Sequence, residues 1–206
     1  MNLGRPLTYL ITSGQLTEDN FATEANGYVD RLFAASTDGV DVIQIREKAL
    51  SARNLSELTR RLVEKLKTLP TKVLVNDRAD IAAAMDCDGV HLTTGSLPIA
   101  VVRRIVGDAA LISCSTHTIE EVERAAAEGA DIILFGPVFA SPGKGRPVGL
   151  DTLVRAAKAA RQSKLVALGG IDELNFQEAL GAGATGVAAI RALNDVRSRR
   201  AIIEKL

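Results

Sequence analysis

The chain is 206 residues long, 47% hydrophobic, 24% charged and only 3% aromatic, the profile of a soluble globular protein with one sizeable core. Its 25 Lys+Arg offset 25 Asp+Glu, which leaves no basic field to gather nucleic acid. The only cysteines, Cys87 and Cys114, exclude a disulfide framework and read as buried thiols of a reducing compartment, and the opening run LTYLI is too short for a signal-peptide core or a bilayer span. These readings predict a single cytoplasmic domain over 1–206 that acts on small molecules, with no nucleic-acid or membrane partner and with self-association left open.

Short apolar, β-branched runs recur about 25 residues apart, the length of one strand, one helix and two loops. They are LTYLI from Leu7, VDVIQI from Val40, KVLV from Lys72, GVHL from Gly89, ALIS from Ala110, DIILF from Asp131, KLVAL from Lys164 and TGVAAI from Thr185. The period predicts an α/β protein, a (β/α)8 TIM barrel near the minimum size for that architecture; a doubly wound open sheet is the alternative. Function in such a barrel sits in the loops at the carboxyl ends of the strands, so the residues that close each run are the informative ones.

The second run ends QIREK, and period two puts Gln44, Arg46 and Lys48 on one face of an extended segment. A planar guanidinium and a compact ammonium together suit a phosphate or diphosphate; the alternative is a solvated strand end in which Glu47 pairs the cations. LSARNLSELTRRLVEKLKTLP follows, with Leu55, Leu58, Leu62 and Leu66 as one apolar helical stripe and Pro70 past its end. The third run ends VNDRAD, where Asn76 offers an amide and Asp77 a hard oxygen ligand for Mg2+, although Asp77 or Asp80 is equally suited to cap the next helix. His91, inside GVHL, reads as a hydrogen-bonded core residue.

The fifth run ends SCSTHT, presenting Ser115 and His117 just ahead of TIEEVERAAAEGA, which has a Thr cap, acidic residues in its first turn and Gly129 past its end. His117 there is either an acid/base near neutral pH or a capping residue. The sixth run leads into FGPVFASPGKGRPVG, a long Gly/Pro loop that reads as a lid bearing Ser141 and Lys144. The seventh ends ALGGID, where Gly169 and Gly170 let backbone amides approach an anion and Asp172 is the expected cap of the next helix. The eighth ends AAIRAL, with Ile190 and Arg191 at the barrel rim.

Taken in order, QIREK, VNDRAD, DGVHL, SxHTxEE, GADxxxFGPVF, the loop Lys and ALGGI resemble the thiamine phosphate synthase/TenI family over most of the chain. The resemblance implies thiamine biosynthesis on a (β/α)8 barrel. In the synthase branch, hydroxymethylpyrimidine diphosphate loses pyrophosphate to give a pyrimidinyl carbocation, which the nitrogen of a thiazole phosphate captures. It implies Arg46, Lys48, Ser115 and Lys144 on the pyrophosphate, Asp77 on Mg2+, Gln44 and Asn76 on the pyrimidine, and Ser141 near the reacting groups. The Gly169–Gly170 backbone and the strand end at Ile190 and Arg191 would hold the thiazole phosphate.

Two departures qualify that transfer. The synthase pattern has a second Mg2+ carboxylate after GVH where this chain reads HLTTGSL and has Ser96, and it has a small Ser where this chain has Arg191. The TTGS segment is similar to the thiazole tautomerase branch, in which His117 would be the acid/base and no metal is needed. A phosphate-ligand binding protein without catalysis is the third reading.

Overall fold

The computed structural model describes residues 4–206. Its strands are β1 (Leu7–Ile11), β2 (Val42–Ile45), β3 (Lys72–Asn76), β4 (Gly89–Leu92), β5 (Leu111–Thr116), β6 (Ile132–Phe135), β7 (Lys164–Leu168) and β8 (Gly186–Ala189). All pair in parallel in chain order, and β8 closes on β1 with Leu7 opposite Gly186 and Leu10 opposite Ala189. The (β/α)8 barrel is therefore the fold, and the open sheet is excluded.

Each strand is buried on both faces, which is why the runs read as continuously apolar instead of alternating. Leu7, Tyr9, Ile11, Val42, Leu74, Ile132, Leu134, Val166 and Ala188 fill the barrel interior. Their neighbours in sequence, among them Leu10, Ile43, Val73, Val75, Ile133 and Val187, pack outward under the helices. The ladder of β2 begins at Val42 rather than Val40: the Val40 amide donates to the Ala35 carbonyl of the first helix, and the Asp41 carboxylate is turned to the barrel floor, where Oδ2 accepts from the Thr8 amide and hydroxyl, both at 2.8 Å.

The helices are α1 (Phe21–Thr37), α2 (Ala52–Leu66), α3 (Ala79–Ala84), α4 (Ile99–Val106), α5 (Ile119–Ala127), α6 (Gly149–Ala159), α7 (Phe176–Gly181), α8 (Arg191–Asn194) and α9 (Val196–Ile203). The expected stripe of α2 is buried at all four leucines, and Ser51 Oγ accepts from the Asn54 amide to cap it. Thr118 caps α5 by accepting from the Glu121 amide. Asp172 does not cap α7. It accepts from the Leu174 and Asn175 amides in a preceding turn, and the helix starts only after Asn175. Helix α9 docks through Arg199, which is 3% exposed and donates twice to Asp38 Oδ2 at the end of α1. No helix among the described residues is long and apolar enough to cross a membrane.

Candidate active site

A cavity of about 300 Å3 opens at the carboxyl ends of the strands, where the barrel interior meets the loops. Its wall includes Arg46, Lys48, Lys144 and Arg191 and contains no Asp or Glu. Among the described residues none of these four cations takes part in an ion pair, whereas Arg5, Arg60, Arg61, Arg78, Arg103 and Arg199 all do.

β2 ends at Ile45, and the alternation of its side chains carries on past the ladder. Gln44, Arg46 and Lys48 all line the cavity, while Glu47 between them is turned away and 2% exposed. The Glu47 carboxylate accepts from the amides of Gly14 (3.1 Å) and Leu16 (2.9 Å) and from the Tyr28 hydroxyl (2.7 Å). It therefore clamps the β1–α1 loop and does not neutralise the cations, so the solvated strand-end alternative fails. Gln44 is 1% exposed; its amide nitrogen donates to Asn76 Oδ1 at 2.9 Å. Its Oε1 is the one buried side-chain polar atom among the described residues without a partner. An orphaned buried acceptor is costly, and Gln44 is one of the residues that line the cavity.

The β4 and β5 ends contribute His91, Ser115 and His117. His91 is the hydrogen-bonded core residue expected, 2% exposed; it points into the barrel and also reaches the cavity wall. Its Nδ1 lies 3.0 Å from Ser113 Oγ and its Nε2 2.9 Å from Ser115 Oγ. Burial, with a smaller contribution from the charge of Arg46, pulls its pKa from 6.5 to about 3, so the ring stays neutral. Its burial was legible; its direction and its place in the site depend on β5, which brings two serines to one ring. At the rim, His117 Nδ1 donates to the Gly136 carbonyl at 2.5 Å, leaving Nε2 without a protein partner among the described residues. The capping alternative is met by its neighbours, because Thr118 caps α5 and Glu121 accepts the His117 amide.

The Gly/Pro loop after β6 brings Ser141 and Lys144 to the cavity. Its base is pinned to the end of β7 by the amides of Val138 and Phe139, which donate to the carbonyls of Leu168 (2.9 Å) and Gly169 (3.0 Å). This contact is what Gly169 and Gly170 make possible. Both have positive φ, +95° and +67°, and a Cβ there would meet Pro137 Cα and Ala140 O at 2.5 Å. Ile190 and the first residue of α8, Arg191, complete the wall on the β8 side.

Asp77 is exposed and stands outside the cavity wall, in the left-handed region at φ +59°. Its Oδ1 accepts from Ser96 Oγ at 2.5 Å, and Ser96 Oγ in turn accepts from the Thr93 amide. Neither Asp77 nor Asp80 caps α3; Asp80 pairs with Arg78. Mg2+ keeps several waters and takes one or two carboxylates together with substrate phosphates, and among the described residues no group of three His, Cys, Asp or Glu could hold a metal ion on its own. One carboxylate with one oxygen already engaged does not make a metal site by itself.

The family described as "Thiamine monophosphate synthase" (TMP-TENI) matches residues 8–193. A putative thiamine-phosphate synthase of Geobacter sulfurreducens is 45% identical over 162 residues, covering 77% of this chain and 76% of that protein. A thiamine-phosphate synthase of Haloarcula marismortui is 37% identical over 205 residues, 96% of this chain and 93% of the relative. Among solved structures, thiamine phosphate pyrophosphorylase from Pyrococcus furiosus superposes with a TM-score of 0.82 at 29% identity, covering 97% of this chain and 96% of the other.

Proposed function

The chain belongs to the thiamine monophosphate synthase family, and on that premise we propose that it joins a hydroxymethylpyrimidine diphosphate to a thiazole phosphate and releases pyrophosphate. The observation that carries this reading is the cavity wall with four unpaired cations and no carboxylate. A monophosphate needs fewer charges than that; a diphosphate and a monophosphate held side by side use all four.

In the reaction, the bond between the pyrimidine methylene carbon and the diphosphate oxygen breaks, and both electrons leave with pyrophosphate. The thiazole nitrogen then gives its lone pair to the methylene carbon. Negative charge grows on the leaving group, so donors aimed at it lower the barrier without a covalent nucleophile. Arg46, Lys48, Lys144 and the Ser115 hydroxyl take that role. The orphaned Oε1 of Gln44 accepts from the pyrimidine amino group, with Asn76 beside it. Ser141 lies near the reacting groups, and the Gly169–Gly170 backbone, Ile190 and Arg191 hold the thiazole phosphate. Asp77 would hold Mg2+ only together with diphosphate oxygens and water, where the ion would offset the charge growing on the leaving group.

A second reading rests on His117, whose unpartnered Nε2 at the rim suits proton transfer in a thiazole tautomerase. Mass spectrometry separates the two. Purified protein given both substrates, with Mg2+ supplied or chelated, is expected to form thiamine phosphate. Absence of product in a preparation that isomerises thiazole carboxylate phosphate, and loses that activity in His117→Ala, overturns the synthase reading in favour of the tautomerase.

A further inference from the structure

Below the cavity floor four polar side chains cross the barrel interior in a line: Tyr9, Ser113, His91 and Ser115. Tyr9 and Ser113 are fully buried and His91 is 2% exposed, so no water supplies the partners they lack inside the line. The separations are 3.3 Å from Tyr9 Oη to Ser113 Oγ, 3.0 Å from Ser113 Oγ to His91 Nδ1, 3.4 Å from Tyr9 Oη directly to His91 Nδ1 and 2.9 Å from His91 Nε2 to Ser115 Oγ. Only Ser115 and His91 reach the cavity wall.

The hydrogens in this line can be counted. A neutral imidazole donates from one nitrogen and accepts at the other, and every buried hydroxyl proton needs an acceptor. If Nδ1 carried the proton, the Tyr9 and Ser113 hydroxyls would each have only the other's oxygen as acceptor. One of those two hydrogens would then have no acceptor among the described residues, inside a closed barrel. If Nδ1 is bare, Tyr9 donates to Ser113, Ser113 donates to Nδ1, and every buried proton is placed. The Nε2 proton then goes to Ser115 Oγ, and the Ser115 hydrogen is left over.

We propose that Tyr9 and Ser113 fix His91 in the Nε2-protonated tautomer, and that His91 thereby turns the Ser115 hydroxyl into an obligate donor toward an anion in the cavity. In the opposite tautomer Nε2 would accept the Ser115 proton and present the cavity with an oxygen lone pair, which repels a phosphate. Because burial keeps the ring neutral, the direction holds across the working pH range. His91 acts here as a positioning residue through Ser115. The inference rests on the reading of Ser115 as an anion ligand, and its test separates the two.

Nitrogen NMR of 15N-histidine-labelled protein reads the tautomer without any assay of turnover, and with only two histidines in the chain the spectrum is simple. The expected result is a bare Nδ1 and a protonated Nε2 for His91, unchanged from pH 8 to pH 5, with the Nδ1 signal perturbed in Ser113→Ala. A protonated Nδ1, or an imidazolium in that range, overturns the proposal. The functional arm is a cycle of His91→Leu, His91→Gln and Ser115→Ala, scored by binding of inorganic pyrophosphate. Ser115→Ala weakens binding about tenfold, as loss of a hydrogen bond to a charged group does. His91→Leu is expected to match that loss in the wild-type background and to add little to it in the Ser115→Ala background, as coupled residues do, and His91→Gln, which restores a donor toward Ser115, recovers part of it. Full additivity overturns the positioning role. Unchanged binding in Ser115→Ala instead overturns the anion-ligand reading, whatever the tautomer proves to be.

Discussion

At the residue scale, the sharpest departure from a two-carboxylate metal site is Ser96, and the structure gives it a definite job: its hydroxyl donates to Asp77 Oδ1. Ser96→Asp replaces that donor with a second carboxylate, so the two charges repel until a divalent ion bridges them. Mg2+ is therefore expected to raise the melting temperature of Ser96→Asp and to leave the wild type unmoved; equal responses would mean that the rim does not discriminate. His91 gives a second prediction. Its folded pKa, about 3, lies below its ordinary value of 6.5, so between those values the unfolded chain binds a proton that the folded chain refuses. Its contribution to stability is complete above pH 6.5 and is lost as pH falls toward 3, with a limiting slope of about 1.4 kcal/mol per pH unit. Urea unfolding at pH 4 to 7 is expected to show a slope one proton shallower in His91→Gln than in wild type. Gln44, Arg46 and Lys48 were legible in the sequence because alternation along an extended run is local, and it holds here although β2 itself ends at Ile45. The clamp made by Glu47 and the placement of His91 were not, since their partners Gly14, Leu16, Ser113 and Ser115 are set by loop closure and strand register.

At the scale of elements, the β6–α6 loop is a pinned base with an exposed tip. Val138 and Phe139 donate to the Leu168 and Gly169 carbonyls and Val148 donates back to Pro137, whereas between Ala140 and Pro147 the one backbone bond is Lys144 to Ser141. The Lys144–Gly145 bond is thus open to trypsin, and exposed tips are where proteases cut. Pyrophosphate, held by the Lys144 ammonium, is expected to slow that cleavage while cutting elsewhere stays constant; equal rates would remove the loop from the binding site. The eight strands were legible for a plain reason: burial on both faces leaves continuous apolar runs, and one strand-helix unit per repeat sets their spacing. The boundaries that shifted did so where two polar residues compete. Asp172 and Asn175 are both good caps, and only the turn between them decides that the helix follows Asn175. Val40 is apolar and buried, yet it stays outside the ladder because its amide is committed to the Ala35 carbonyl of α1.

At the scale of the whole molecule, a net charge of zero conceals a segregation of charge. Carboxylates are spent elsewhere: Asp38 on Arg199 and Arg200, Asp41 on Arg5, Glu57 on Arg60 and Arg61, and Asp88 on Lys72. The cavity keeps four cations with nothing to neutralise them. Like charges gathered around a small space repel one another in the free protein, and a polyanion relieves that repulsion while gaining charge-assisted hydrogen bonds. Binding to the folded state alone stabilises it by mass action, about 2.7 kcal/mol at a ligand concentration one hundred times Kd. For a chain of this size, with roughly 2–4 °C per kcal/mol, that predicts a rise in Tm of about 5–10 °C with saturating pyrophosphate. The rise is expected to shrink at high salt, because exposed charges are screened, and to fall sharply in Arg46→Ala and Lys144→Ala. Inorganic phosphate, which engages fewer of the cations, should give a smaller rise at equal concentration, and Mg2+ alone none. Equal shifts from phosphate and pyrophosphate would mean that the cations act as a diffuse field rather than as a site built to the size of a diphosphate. The ordering of these ligands therefore tests the architecture itself, since only the closed barrel brings β2, the β6–α6 loop and α8 to one opening.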